Sequence, residues 1–406
     1  MTTSQSLTAE TINAWADDTQ GPVALILKQR LLPVDGEGGI IFPPTYANIG
    51  YSIDTLADGT KVAQIDSVPS QANRREPLFR KDGYKHLVPQ IEIDLGKSKD
   101  GDFERRVSLL DLAHRAGDAV VRSSDLAKEI DAAFKTLLRS HDAGPLAKLA
   151  PTSLIFGVWD SRGTQAKLPR LVRSVIRAED VQVLHGAAQY NSIWKLLSDE
   201  QKQALEDDPN AGRNGEKLAE VGFKDVPAIF RKTDDKNDEA RVLGGVIARG
   251  PITCQITINF IALRSICGAD ANSTKNLRRY LLGLALMAAT ADLELYLREG
   301  CLLRYADDDE EPWEAVPRRG KSTFFCFSSE KDKEIISSYA KQVADTFGVE
   351  KPKNERFVFD IDKAKALLEP KKGKKADGKG ATRKKGKKGD ELEHVEMDIE
   401  ESDSED

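Results

Sequence analysis

Cationic excess is missing from this chain taken as a whole. Its 406 residues carry 60 Lys and Arg against 66 Asp and Glu, a formal net charge of −6. That excludes a coat protein that binds nucleic acid through global charge, so any such site has to be a local patch. Cysteine is sparse: Cys254, Cys267, Cys301 and Cys326 form no CxxC pair, and five histidines lie scattered among other residues. Zinc-ligand spacing is therefore absent, and reduced, mostly buried thiols of a cytoplasmic protein are expected, with no cofactor and no metal site. Long apolar runs are lacking too. The longest, Tyr280 to Ala289, is too short for a bilayer and is flanked by Arg278, Arg279 and Asp292. The N-terminal MTTSQSLTAETINAWADD has neither the basic nor the apolar part of a signal peptide. No membrane partner is expected.

Catalytic motifs fall short as well. VPRRGKST, residues 316–323, imitates the end of a phosphate-binding loop, but Ala315 stands where the leading glycine is needed. GVWDSRG lacks the G-x-S-x-G spacing of a nucleophile elbow around Ser161. DLAHRAGD sets His114 between Asp111 and Asp118, which suits either a general base or a donor to phosphate.

What is present concentrates in residues 150–178, APTSLIFGVWDSRGTQAKLPRLVRSVIRA. Pro151 followed by alternating Leu154, Phe156 and Val158 predicts a strand, Asp160 to Gly163 a turn, and Pro169 opens a second β-branched run. Arg162, Lys167, Arg170, Arg173 and Arg177 face Asp160 alone, a local net of +4. A strand pair with such a row beside Trp159 suits a phosphate backbone with bases stacked on it. It equally suits a solvated sheet face with Trp159 in the core.

Around that stretch the pattern predicts a strand over residues 22–34 and hairpins over 35–66. A short helix capped by Ser67 or Ser70 follows, placing Ser70, Gln71, Asn73 and Arg74 at a helix N-terminus suited to phosphate. Helices are expected from Ser123 or Ser124 through Leu137, over 145–149, from Ser273 or Thr274 to about Glu299, and over 328–348. Ile252, Cys254, Ile256 and Ile258 alternate with Thr253, Gln255, Thr257 and Asn259 as a half-buried strand, and 301–305 reads as another. This rhythm predicts an α+β fold with an RRM-like (ferredoxin-like) sheet and helices on one face. Its first part spans 1–184 and its second 241–370, with a polar insertion at 185–240. Residues 371–388 hold ten Lys or Arg, and 390–406 hold ten Asp or Glu. With few apolar residues, such opposed blocks are expected to form a disordered tail.

SQANRREP, SLLDLAHRAGDAVVRSS and APTSLIFGVWDSRGTQAKLPRLVRS stand in that order, at similar spacing, in the RAMP-superfamily (Cas-seven-type) backbone subunit of type I CRISPR Cascade, subtype G, formerly U. The chain resembles that family over roughly residues 20–305. The resemblance implies a palm with inserted finger and thumb elements and no catalytic residues. It also implies several copies head to tail along one guide RNA (crRNA), target DNA engaged by pairing to that guide, and other Cascade subunits as neighbours. By position it offers as RNA-contacting residues Ser70, Gln71, Asn73 and Arg74; His114, Arg115 and Arg122; and Trp159, Ser161, Arg162, Lys167, Arg170 and Arg173. Arg177 extends the same row. Two other functions fit the residues: a ribonuclease of the same superfamily acting on guide or target RNA, and a stand-alone single-strand-binding protein.

Overall fold

The computed structural model describes residues 4–47, 49–97, 101, 103–186, 193–211, 217–218, 221, 223, 242–306, 311–349 and 356–368. The tail from 371 and most of the 185–240 insertion lie outside them. Among the described residues no helix is long and apolar enough to cross a membrane.

The central sheet is built from β1 (Ala24–Pro33), β2 (Lys61–Asp66), β3 (Val172–Ala178), β4 (Ile252–Asn259), β5 (Cys301–Tyr305) and β6 (Trp313–Val316). β1 lies against β4, β4 against β3 and β3 against β2, all antiparallel. β5 and β6 follow one another along the free edge of β1, at Leu31–Pro33 and Ala24–Ile26. Helices α1 (Val68–Arg75) and α2 (Ala127–Ser140) fall between β1 and β3, and α3 (Ala271–Ala289) between β4 and β5. With β2 added outside β3, this is the strand order of a βαββαβ unit, and the expected α+β, RRM-like sheet is present. Beyond β3 and β4 the hairpin continues as Val181–Gly186 paired with Val242–Ala248, and the insertion grows from its far end.

Alternation decides the two faces. Leu25, Leu27 and Leu31 of β1 and Ile252, Cys254, Ile256 and Ile258 of β4 point to the helical side and are buried. Burying one such side chain contributes about 1.5–3 kcal/mol. Over this face lie α3 and α4 (Glu330–Phe347). Tyr280 stacks on Phe347 with ring centroids 4.5 Å apart and donates its hydroxyl to Leu87 O at 2.8 Å. A Cβ on Gly283 would sit 2.9 Å from Val343 Cγ2, so glycine there lets α3 and α4 approach.

Three local expectations are corrected. Pro151–Phe156 is a helix, not a strand, because the whole run is buried on every side and alternation carries no information there. Proline sits at its first position, where no intrahelical N–H is needed. Helix α3 is capped by Asp270 rather than Ser273 or Thr274, and it stops at Ala289. The residues beyond it form a hairpin, Tyr296–Arg298 with β5. Finally, α2 begins only at Ala127, since Ser123 instead closes the short helix Ala119–Arg122.

Candidate nucleic-acid interface

The sheet face turned away from the helices is cationic. Cross-strand partners in antiparallel strands project to the same side. The register therefore aligns Arg30, Thr253, Arg177 and Gln64 in one row across β1, β4, β3 and β2. The next row holds Lys28, Gln255 and Val175, and the third holds Ile26, Thr257 and Arg173, with Glu314 at its edge. Lys28, Arg30, Arg173 and Arg177 are all exposed. Arg304 on β5 lies opposite Leu32 and joins the same face. Arg173 and Arg177 are four residues apart on one strand and so point together. Arg170 precedes the strand, so alternation does not reach it.

A short ribbon projects from the helix end that leads toward β3. The helix Pro151–Phe156 ends at Gly157, whose φ of 78° favours glycine. Val158–Trp159 then pairs with Lys167–Leu168. Asp160 is fully buried beneath the turn. It accepts from Arg122 Nε at 3.0 Å and from Arg122 Nη2. It also accepts from the backbone N–H groups of Gly163 at 3.2 Å and Thr164 at 2.6 Å, and from Thr164 Oγ1 at 2.7 Å. The anchored turn holds Ser161 half-buried and Arg162 exposed. Trp159 is 58% exposed, so it is not a core residue. Lys167 Nζ lies 5.9 Å from its ring centroid. Arg170 is exposed, and its Cγ lies 2.9 Å from where a Cβ on Gly157 would be. Desolvation, then the Arg115 charge, lower its pKa.

The other positions suggested by sequence are largely engaged inside the protein. Asp66, fully buried at the end of β2, gathers Ser70 Oγ at 2.9 Å, Gln71 Nε2 at 2.7 Å, Arg74 Nε at 3.0 Å and Arg298 Nη2 at 3.0 Å. Gln71 is itself buried and accepts from Ser174 Oγ at 2.8 Å, locking α1 to β3. Ser67, not Ser70, caps α1. Arg115 is buried with a left-handed φ of 53°. Its Nε lies 2.6 Å from Glu76, and its other nitrogens donate to Gly157 O and Asn73 Oδ1, both at 3.3 Å. Burial pushes the Glu76 carboxyl up to about 7, against the pull of Arg115. Arg122 is buried on Asp160 and also contacts Asp131 at 3.3 Å. His114 is exposed, 3.4 Å from Asp118, whereas Asp111 is paired with Arg80. Asp118 caps the helix Ala119–Arg122, so the two carboxylates flanking His114 in sequence serve separate structural contacts.

Two groups escaped the sequence reading. Lys28 and Arg30 were hidden in an apolar run, although their alternation with Leu27, Gln29 and Leu31 marks an exposed face. The anchoring roles of Asp66 and Asp160 carry only a turn-type local pattern, because the arginines that complete them, Arg298 and Arg122, come from distant segments.

Residues 25–183 match the family model of CRISPR-associated protein GSU0053. That span runs from β1 through the ribbon to β3, and so contains most of the cationic face. Among solved structures, a chain described as a CRISPR RNA-guided surveillance complex, pre-nicking, aligns over 85% of this chain and 98% of its own length. At 12% identity and a TM-score of 0.27, that likeness is too loose to carry a structural argument. None of the curated proteins matches.

Proposed function

We propose that the chain is a guide-RNA-binding backbone subunit of a Cascade-type CRISPR surveillance complex, of subtype G, and that it holds RNA without cutting it. The observation that carries this reading is the sheet face where Lys28, Arg30, Arg173 and Arg177 alternate with Thr253, Gln255 and Thr257, together with exposed Trp159 on the ribbon that leads into β3. Guanidinium, ammonium and amide groups position phosphates without reading bases, and a free indole face accepts any base. Such tolerance suits a guide whose pairing supplies the sequence specificity. The match of residues 25–183 to a CRISPR-associated family supports the same reading. Arg115 and Arg122, tied to Glu76 and Asp160, act in it as supports that place the ribbon. Several copies would line up along one guide, each contributing its own face.

The test is the RNA that copurifies with the chain when it is expressed together with a guide locus. RNA of uniform length ending in repeat sequence is expected. A heterogeneous mixture of host RNA would instead make this a stand-alone single-strand-binding protein. Cleavage of labelled RNA that His114→Ala abolishes would make it a ribonuclease.

A further inference from the structure

Arg75 is the most deeply buried of the described arginines, at 3% exposure. Its burial differs in kind from that of Arg115 and Arg122, each of which meets a buried carboxylate. No carboxylate lies within ion-pair distance of Arg75 among the described residues. Its Nη1 donates to Ala288 O at 2.8 Å, Ala289 O at 3.3 Å and Ala291 O at 3.5 Å, the last carbonyls of α3 and the turn beyond. Those dipoles offset part of the charge. Its Nε has no partner. A guanidinium cannot escape such a position by losing its proton, and an incompletely paired buried cation is costly.

The same side chain lines a cavity of about 200 Å³ between the inner sheet face and the end of α3. Leu31, Ile256, Leu295 and Phe327 form its apolar walls, and Lys333 and Asp292 also line it. Lys333 is paired with Glu330 at 3.4 Å, which leaves Arg75 as the lining cation with no carboxylate of its own. An apolar cavity of about 150 Å³ accommodates benzene, so this one has room for a ring-sized body carrying a charged group.

We propose that this cavity binds a small organic carboxylate with an apolar body, its charge held by Arg75 and its body against the apolar walls. The site lies on the opposite side of the sheet from the cationic face, so it is independent of the RNA-binding reading. The probe is sodium benzoate, titrated into the full chain and followed by ligand-observed NMR and by calorimetry, with benzyl alcohol as the uncharged counterpart. Benzoate should bind saturably and about tenfold or more tighter than benzyl alcohol, since a charge-assisted contact distinguishes them. Lys333→Gln, a change on the half-exposed side of α4, should weaken benzoate severalfold, and Asp292→Asn should tighten it. Arg75→Gln should abolish binding if it folds, and the other two variants decide the matter if it does not. Equal binding of the two probes, binding of neither, or indifference to both the Lys333 and Asp292 changes would overturn the proposal. Arg75 would then serve α3 alone, as a cap on its final carbonyls.

Discussion

Asp160 links two chain segments through a single carboxylate, and it does so with no access to water. Removing one member of a buried pair leaves the other charged and unpaired, at a cost of about 3–5 kcal/mol. Asp160→Ala is expected to lower the urea midpoint of unfolding; an unchanged midpoint would show that Asp131, already 3.3 Å from Arg122, suffices for it. Trp159 should behave in the opposite way. It is exposed, so Trp159→Ala should leave the melting temperature nearly unchanged. Loss of one stacked base costs about 1–3 kcal/mol, so RNA affinity should fall about fivefold or more. A large loss of stability with intact RNA affinity would make the indole structural. Glu76 gives the pH dependence. Burial raises its pKa to about 7 in the folded chain, from an ordinary value of 4.5. The folded state thus holds a proton that the unfolded chain has released, and this contribution to stability declines as pH rises from about 4.5 to 7. Glu76→Gln should flatten that decline, whose slope is at most about 1.4 kcal/mol per pH unit. Parallel stability curves for the two proteins between pH 5 and 7 would rule this out.

Strands β1 and β3 each bring cations to one face by period-two alternation, with β4 between them supplying hydroxyls and amides. Their charges are spread over separate elements, so no single strand should account for RNA binding. Arg30→Ala combined with Arg177→Ala removes one cation from each flanking strand within a single row. Each lost phosphate contact on single-stranded RNA should flatten the slope of log affinity against log salt by about 0.7. The loss should be uniform across guide sequences, because phosphates carry no base information. Stability should change little, since solvated charges contribute little to it. An unaltered salt slope would place the nucleic acid elsewhere, with the ribbon residues Arg162, Lys167 and Arg170 as the next to test.

At the scale of the molecule, residues up to 367 form one compact unit, with α4 and the strand Arg356–Val358 already placed on it. Beyond that point the sequence offers ten cationic and then ten acidic residues in two blocks. A chain ending at residue 367 is expected to keep a single cooperative thermal transition and to assemble on guide RNA. Loss of that transition would mean that the tail packs on the body. The whole-chain charge of −6 also fits this division. A cationic face covers one side of one sheet, and the remaining surface is left acidic overall.

Periodicity and caps determined much of this architecture without help from the rest of the fold. The alternation from Ile252 to Asn259 specifies a strand with one dry and one wet face, and Ser329 with Gly348 bounds α4 at the residues where it starts and stops. These are short-range effects, set by side-chain direction and by the free N–H and C=O groups of helix ends. Tertiary structure alone decided the state of Pro151–Phe156, because a segment buried all round shows no period. It also sorted the arginines. Arg115 and Arg122 look like Arg173 and Arg177 in sequence, yet the first two are buried and the last two face water. A guanidinium is equally at home in water or against a buried carboxylate. Which of these it meets depends on where Glu76 and Asp160 arrive, and only the folded chain brings them there.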